Sequence, residues 1–301
     1  MKLIAFFLFI SILFSSCSFN KMFLVPYKIP ATTQRLKLVG RDTTYIAYSG
    51  DNFQPTFLKH KTDTIQTNFT IESVVFTSAN GHKLNGWMMK PKNSNPSATI
   101  LHLHGNAGNL LYQYSAMTPL IDYNFQIFIF DYSGFGFSEG KATKKNVLTD
   151  ALSALDYVKS REDVKNTKLV VYGQSLGGHC SAIVAEKKQS EIDALVIEGA
   201  FSSHKDIAAY TMKKALHMAF LGRWFTKDGY NAKRSIKEYK KPLLVIHSTE
   251  DETIPFYMGQ KIHAEANNPK EFYEIKKCHI CGPSYYAESI AEKIKKMLEI
   301  K

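Results

Sequence analysis

Six short apolar runs that alternate with helix-patterned segments restrict the fold of this chain more than any other feature. The runs lie at 98–103, 126–130, 168–172, 193–197, 243–247 and 271–275. The helix-patterned segments lie at 110–123, 144–160, 176–188, 255–265 and 284–299. Strands that are apolar throughout are buried on both faces, and their alternation with helices is typical of βαβ units. The pattern therefore predicts a mostly parallel sheet with helices on both of its faces.

Two further strands are predicted ahead of the first run. Segments 71–78 and 82–90 flank Asn80-Gly81, a dipeptide that favours a two-residue hairpin turn. Together with the six runs they give a central sheet of about eight strands, in an α/β domain that we place at 69–301. A length of 301 residues, 45% of them apolar, suffices for the core of one such domain.

The interval between the fourth and fifth runs interrupts the alternation. From about 201 to 240 it is rich in methionine and aromatic residues, and it shows helical spacing over its first half. Two interpretations are open. The segment is either a small helical cap insertion over a pocket or a helix that packs on the sheet.

The first residues resemble an export signal. After Met1-Lys2, an apolar run at 3–14 is interrupted only by Ser11 and is too short to span a bilayer. It ends in Phe14-Ser15-Ser16-Cys17, which resembles a bacterial lipoprotein signal, where the cysteine is lipidated and becomes the new N-terminus. We therefore expect a signal peptide at 1–16, lipidation at Cys17, and a tether with an N-terminal extension at 17–68.

This interpretation predicts a bacterial envelope protein held on a membrane by a lipid anchor. The alternatives are a plain cleaved signal, which would give a secreted or periplasmic protein, and an uncleaved anchor. The net charge of +11 comes from scattered lysines, which favours a solvated basic surface over a dedicated site for anionic ligands or membranes. No nucleic-acid-binding motif accompanies the charge, so nucleic acid is not an expected partner.

The hexapeptide from Gly173 to Gly178 carries the strongest chemical signal. It joins the third apolar run to a helical segment and places Ser175 between Gly173 and Gly177. This is the layout of a nucleophile elbow, in which a sharp strand-to-helix turn exposes the serine hydroxyl above the sheet edge. The glycines are needed because strand and helix approach each other closely. The Leu176 amide would point to the same place as the hydroxyl.

Three other loops provide candidate partners for this serine. One precedes it in the sequence and two follow it. The loop at 104–109 follows a predicted strand, and the Asn106 amide with that of Leu176 would form an oxyanion hole. His279 follows the last strand and would act as the general base. Asp251 follows the fifth run and would orient that histidine, with Glu250 and Glu252 as chemical rivals in the same loop.

With these residues in order, the chain resembles the α/β-hydrolases from about Phe69 to its end. The match rests on the loop His104-Gly105-Asn106-Ala107-Gly108-Asn109, the block at 131–140, the elbow, and the Asp251 and His279 loops. The first two blocks are similar to the branch that contains serine aminopeptidases and depalmitoylating thioesterases. The resemblance also assigns the acid of the triad to Asp251.

The resemblance implies hydrolysis of a small-molecule or acylated ester or thioester through an acyl-serine intermediate, without a cofactor. An amide or short-peptide hydrolase is the alternative, and so is a non-catalytic binding protein that retains the fold.

The cysteines of the histidine loop depart from the family pattern. Cys278 stands where such proteins usually have glycine, and with Cys281 it could form a disulfide. A rival arrangement has Cys278, His279 and Cys281 bind zinc together with His179 or Cys180. That site would take His279 away from the triad, and we expect no metal here.

Overall fold

The computed structural model describes residues 23–38, 44–226 and 229–300. Within these residues the largest sheet has eight strands, in the order β14-β13-β12-β11-β8-β10-β7-β6. Its strands are β6 (Phe69–Thr77), β7 (Lys83–Pro91), β8 (Ala98–Leu103), β10 (Phe125–Phe130), β11 (Lys168–Gln174), β12 (Ala194–Glu198), β13 (Leu243–Ser248) and β14 (Lys270–Ile275). From β10 to β14 neighbouring strands are parallel, whereas β7 is antiparallel to β6 and β10.

Helices cover both faces of this sheet. They are α1 (Leu110–Met117), α2 (Lys144–Ser160), α3 (Leu176–Lys188), α4 (His204–Leu216), α5 (Ala219–Phe225), α6 (Ala232–Ser235), α7 (Phe256–Glu265) and α8 (Gly282–Leu298). One core joins α2, α3 and α7 to one side of the strands, and a second core joins α1 and α8 to the other. The predicted α/β fold, with about eight mostly parallel strands and helices on both faces, is confirmed.

Two helix predictions need adjustment. The segment 110–123 does not form one helix, because α1 ends at Met117 and a 3₁₀ helix, Thr118–Tyr123, follows. Pro119 causes the change, since it has no N–H for the α-helical hydrogen bond and its ring crowds the preceding turn. The last helix, α8, begins at Gly282 and is kinked at Tyr286, whose φ is −132°.

The segment between β12 and β13 contains α4, α5 and α6. Helices α4 and α5 pack tightly, because a Cβ at Gly222 would overlap the carbonyl oxygen of Ala208. Helix α6 instead packs beside α3, with Ala232 and Ile236 buried in the core that α2, α3 and α7 share. The interval therefore holds a helical hairpin together with a short helix that belongs to the body of the domain.

The residues before Phe69 contribute strands to two small sheets. Strand β1 (Val25–Pro26) pairs in parallel with β9 (Ala107–Gly108), and the Val25 amide donates to the Asn106 carbonyl at 2.9 Å. Strands β2 (Arg35–Leu38), β3 (Thr44–Ser49), β4 (Gln54–Lys59) and β5 (Asp63–Thr64) form an antiparallel sheet in that order. The N-terminal extension thus contacts the loop at 104–109.

The predicted signal peptide at 1–16 and the predicted lipidation site Cys17 lie outside the described residues. In the part of the chain that the structure does describe, no helix combines the length and the apolar character needed to cross a membrane.

A buried acid follows β10 at the first position of the block 131–140. Asp131 is fully buried, and one of its oxygens accepts a hydrogen bond at 2.7 Å from the amide of Leu110, the first residue of α1. Burial raises the pKa of Asp131 to about 8, although this hydrogen bond and the charge of Lys28 oppose the shift. The carboxyl group is therefore protonated in the folded protein over a range in which the unfolded chain has lost that proton.

This difference predicts that stability falls as pH rises. Between the unfolded pKa of about 4 and the folded pKa, the native state holds one more proton, which removes about 1.4 kcal/mol of unfolding free energy per pH unit. Asp131→Asn should flatten this slope in urea unfolding measured from pH 5 to pH 8. The exposed Asp156→Asn serves as the control and should leave the slope intact. Equal slopes in wild type and Asp131→Asn would contradict the assignment.

Candidate active site

Ser175 occupies a sharp turn between β11 and α3. Its φ of 54° and ψ of −115° are unusual for a residue with a side chain, and its amide donates to the Glu198 carbonyl at 2.9 Å. A Cβ at Gly177 would overlap the carbonyl oxygen of Leu103, and one at Gly173 would overlap that of Gly177. The two glycines therefore allow the contact between strand and helix that holds Ser175 in this conformation.

The serine lies at a partly open cavity of about 170 Å³. Two of the other predicted site residues, Asn106 and Leu176, line the same cavity. The remaining lining is largely apolar and consists of Phe23, Phe201, Ile207, Thr211, Thr253 and Ile254. The structure thus places the predicted nucleophile and both predicted oxyanion residues around one space. A reacting carbonyl group would fit in this space, with its acyl chain against apolar side chains.

Asp251 and His279 form a hydrogen-bonded pair beside this cavity. One Asp251 oxygen, Oδ2, lies 2.6 Å from His279 Nδ1, and the Asp251 side chain is 1% exposed. The other oxygen, Oδ1, accepts the amides of Thr253 and Ile254, both at 2.8 Å. Burial by itself would raise the pKa of Asp251, but hydrogen bonds from His247 and His279 outweigh it and lower the pKa well below its usual value. The carboxylate is thus ionised and fixed in orientation.

The two rival acids of this loop do not contact the histidine in this way. Glu250 accepts the Lys277 amide at 2.9 Å, and Glu252 is exposed. Of the three acids considered from the sequence, Asp251 is the one that the structure pairs with His279.

The histidine loop and the serine turn meet around Gly199 and Gly105. A Cβ at Gly199 would lie 3.1 Å from Cε1 of His279, and Gly199 directly follows Glu198, whose carbonyl accepts the Ser175 amide. A Cβ at Gly105 would lie 3.8 Å from Cβ of Ser175 and 3.7 Å from Cδ1 of Ile280. The loops after β8, β11, β13 and β14 therefore converge at one edge of the sheet, where parallel strands end.

A buried glutamate that no sequence motif marks joins these loops through hydrogen bonds. Glu198 ends β12 and accepts hydrogen bonds at 2.7 Å from both Tyr172 and Gln174, and one at 2.6 Å from the Gly282 amide. Gln174 also donates to the Ile280 carbonyl at 3.2 Å. Burial raises the pKa of Glu198, against these hydrogen bonds. A single acid at a strand end gives no sequence signal, because its partners come from distant segments.

The cysteines lie on either side of the histidine, and the structure joins Cys278 and Cys281 in a disulfide with their Cα atoms 5.7 Å apart. The proposed zinc ligands on α3 are engaged elsewhere. The His179 ring contacts the Phe201 carbonyl at 2.8 Å, and Cys180 is a buried thiol whose pKa burial raises. Over residues 23–38, 44–226 and 229–300, no group of three or more His, Cys, Asp or Glu side chains is placed to hold a metal ion.

This sheet order, with loops from successive strand ends meeting at one cavity, defines the α/β-hydrolase class. Residues 98–214 match the family model described as the alpha/beta hydrolase fold. The chain is 36% identical over 214 residues to the uncharacterized protein YfhR of Salmonella typhi, an alignment that covers 66% of this chain and 71% of that protein. The protein therefore belongs to the α/β-hydrolase family.

Two further comparisons extend this result. The lysophosphatidylserine lipase ABHD12 of Mus musculus is 29% identical over 229 residues, which cover 71% of this chain and 56% of that protein. The esterase Pf2001 of Pyrococcus furiosus superposes with a TM-score of 0.61 at 20% identity, covering 77% of this chain and 92% of the esterase. At that identity the superposition shows a shared fold.

Proposed function

We propose that this protein is a serine hydrolase that cleaves carboxylic esters or thioesters by transferring the acyl group to water. One observation carries the proposal: Ser175 lies at the cavity in an elbow conformation, at the sheet edge where His279 is hydrogen-bonded to a buried, ionised Asp251. A serine needs a neighbouring base to become a nucleophile, and the base needs an acid that fixes its tautomer. We assign the role of nucleophile to Ser175, that of base to His279 and that of orienting acid to Asp251.

The proposed reaction has two halves. Ser175 Oγ attacks the carbonyl carbon while His279 takes the hydroxyl proton, and the amides of Asn106 and Leu176 stabilise the oxyanion. His279 then gives this proton to the departing alcohol or thiol, which leaves an acyl-serine. Water attacks the acyl-serine with His279 as base, and the carboxylic acid departs as Ser175 regains its proton.

The cavity suggests the kind of acyl group. Its lining is mostly apolar, and its volume of about 170 Å³ is below the 300–1,000 Å³ of pockets that enclose a drug-sized ligand. We infer that a short acyl chain fits inside and that a longer one would extend out past α4. An ester substrate also agrees with the lipase ABHD12, to which the chain is 29% identical.

The test is covalent labelling with a fluorophosphonate, which reacts with activated serines. The wild-type protein should be labelled on the peptide that contains Ser175, and Ser175→Ala should not be labelled. Ser181→Ala, which removes a buried hydroxyl from the same helix, is the matched control and should label normally. A wild-type protein that resists the probe would contradict the proposal and favour a binding protein that retains the fold.

A substrate panel separates ester from amide hydrolysis. p-Nitrophenyl acetate and butyrate should be cleaved faster than the laurate, and a thioester of the same short acids should also be cleaved. Matched p-nitroanilides and aminoacyl anilides should react far more slowly. Faster cleavage of the anilides would instead support the amide hydrolase of the serine aminopeptidase type.

We also propose that the protein carries a lipid anchor and lies in the bacterial cell envelope. The anchor and this location are supported by the apolar run at 3–14 and by the Phe14-Ser15-Ser16-Cys17 sequence that follows it. The intact mass of protein from bacterial membranes should include acyl chains on Cys17, and Cys17→Ser should lack them. A wild-type mass without acyl chains would contradict the anchor.

A further inference from the structure

The hairpin of α4 and α5 exposes a concentration of large apolar side chains. Within residues 213–224, named here the cap tip, four such side chains are strongly exposed. They are Leu216 at 53%, Met218 at 43%, Phe220 at 65% and Trp224 at 79%. An exposed cluster of this kind marks an interaction site more often than a freely solvated surface.

The packing of α5 fixes the direction of its two aromatic side chains. Gly222 faces α4, since a Cβ there would overlap the Ala208 carbonyl oxygen. At about 100° per residue, Phe220 and Trp224 lie one turn apart on the same side of α5, roughly 160° away from Gly222. The two rings therefore point away from the body of the protein, side by side.

The charges of the cap tip are all basic. Residues 213–224 contain Lys213, Lys214 and Arg223 but no aspartate or glutamate. Arg223 pairs with Asp206 at 2.7 Å and still keeps its side chain 61% exposed. Exposed aromatic residues bordered by lysine and arginine are the composition of segments that lie in the interface of anionic membranes.

The helix hairpin that carries the cap tip also borders the cavity and the start of the described chain. Ile207 and Thr211 of α4 line the cavity together with Phe23, whose ring centroid lies 6.5 Å from that of His204, the first residue of α4. Residues 18–22 connect Phe23 to Cys17, the proposed lipidation site. Even fully extended, this connection spans no more than roughly 22 Å. A membrane that holds a lipid on Cys17 would therefore lie within reach of α4.

We propose that the cap tip is a docking surface for an anionic lipid bilayer. Phe220 and Trp224 enter the interface between headgroups and acyl chains, while Lys213, Lys214 and Arg223 contact the lipid phosphates. Because α4 of the same hairpin lines the cavity, this docking would hold the cavity opening next to the membrane surface. The surface acts independently of the acyl transfer proposed above, so each can be tested without the other.

Tryptophan fluorescence of the full chain gives a local test. The protein has two tryptophans, and Trp87 is 1% exposed, so changes at a membrane surface report on Trp224. With phosphatidylglycerol vesicles the emission should shift to the blue and be quenched at least twofold by lipids brominated on their acyl chains. Phosphatidylcholine vesicles should produce little of either effect. Trp224→Phe should show only the background from Trp87.

Matched variants separate docking by the cap tip from attachment by the N-terminal segment. Lys213→Glu with Lys214→Glu should reduce the quenching severalfold, and Phe220→Ser should also reduce it. Tyr285→Ser removes an aromatic side chain of similar exposure from α8, which packs on the other face of the sheet, and should have no effect. The same results are expected with Ser175→Ala, because docking does not require acyl transfer.

Three outcomes would overturn the proposal. The first is an unshifted, unquenched Trp224 in protein that sediments with the anionic vesicles. The second is quenching that is equal with phosphatidylglycerol and phosphatidylcholine vesicles and that the two lysine substitutions leave unchanged. The third is a blue shift that depends on protein concentration in the absence of lipid, which would identify a second copy of the chain as the partner of the cap tip.

Discussion

Asp251→Asn is expected to lower kcat for ester hydrolysis on the order of 10⁴-fold, with little change in KM. Because the amides of Thr253 and Ile254 hold Oδ1, the new amide nitrogen would take the place of Oδ2 and face His279 Nδ1. An NH₂ group there can only donate, so Nδ1 would have to accept and Nε2 would carry the proton. A histidine in that tautomer cannot take the proton of Ser175.

The control for this variant lies one residue away. Glu250→Gln makes the same change from acid to amide, but Glu250 contacts the Lys277 amide and not the histidine, so its kcat should stay within a few-fold of wild type. Glu250→Gln should melt close to wild type. Asp251→Asn should be less stable than wild type, because it removes an ionised group whose pKa the fold lowers. Rates are therefore compared at a temperature at which circular dichroism shows both variants to be folded. Rates for Asp251→Asn within tenfold of wild type would show that another group orients the base.

Gly177→Ala is expected to lower the free energy of unfolding by about 3 kcal/mol or more. The added methyl group would overlap the carbonyl oxygen of Leu103 and come within 2.7 Å of that of His104. Both atoms belong to the main chain at the end of β8, a central strand, so they cannot move without disturbing the sheet. Urea unfolding measures the effect, and loss of soluble protein would be its extreme form.

Gly105→Ala separates this clash from a general intolerance of alanine near the site. Gly105 lies beside Ser175, but the nearest atom to an added Cβ is 3.7 Å away, an ordinary van der Waals contact. The free energy of unfolding of Gly105→Ala should stay within about 1 kcal/mol of the wild-type value. Equal free energies of unfolding for Gly177→Ala and Gly105→Ala would show that α3 does not approach β8 as closely as described.

The strands and helices of the central domain could be predicted because their signals are local. Runs such as 98–103 and 168–172 are mostly apolar and, apart from Lys168, are buried, and they became β8 and β11. The small sheet before Phe69 was missed, although Leu36 and Leu38 lie two residues apart, as do Ile46 and Tyr48. Its strands are mostly polar and half-exposed, so the alternation is weak beside the continuous runs of the main sheet.

The residues of the candidate site could be nominated from the sequence for a different reason. Each follows a strand, and parallel strands end at the same edge, so their order along the chain predicts their meeting. The contacts of Glu198 could not be foreseen, since Tyr172, Gln174 and Gly282 reach it from two other elements. The same holds for Phe23, which reaches the cavity from the N-terminal extension.

The sequence by itself determined the sheet, the elbow and the candidates for its partners, because apolar periodicity and turn glycines act over a few residues. The tertiary structure decided which acid pairs with His279, since Glu250, Asp251 and Glu252 are neighbours in one loop and differ only in where their side chains point. It also decided the character of the cap tip. Helical spacing in 201–240 fits a buried face or an exposed one, and the contact of Gly222 with α4 turns Phe220 and Trp224 outward.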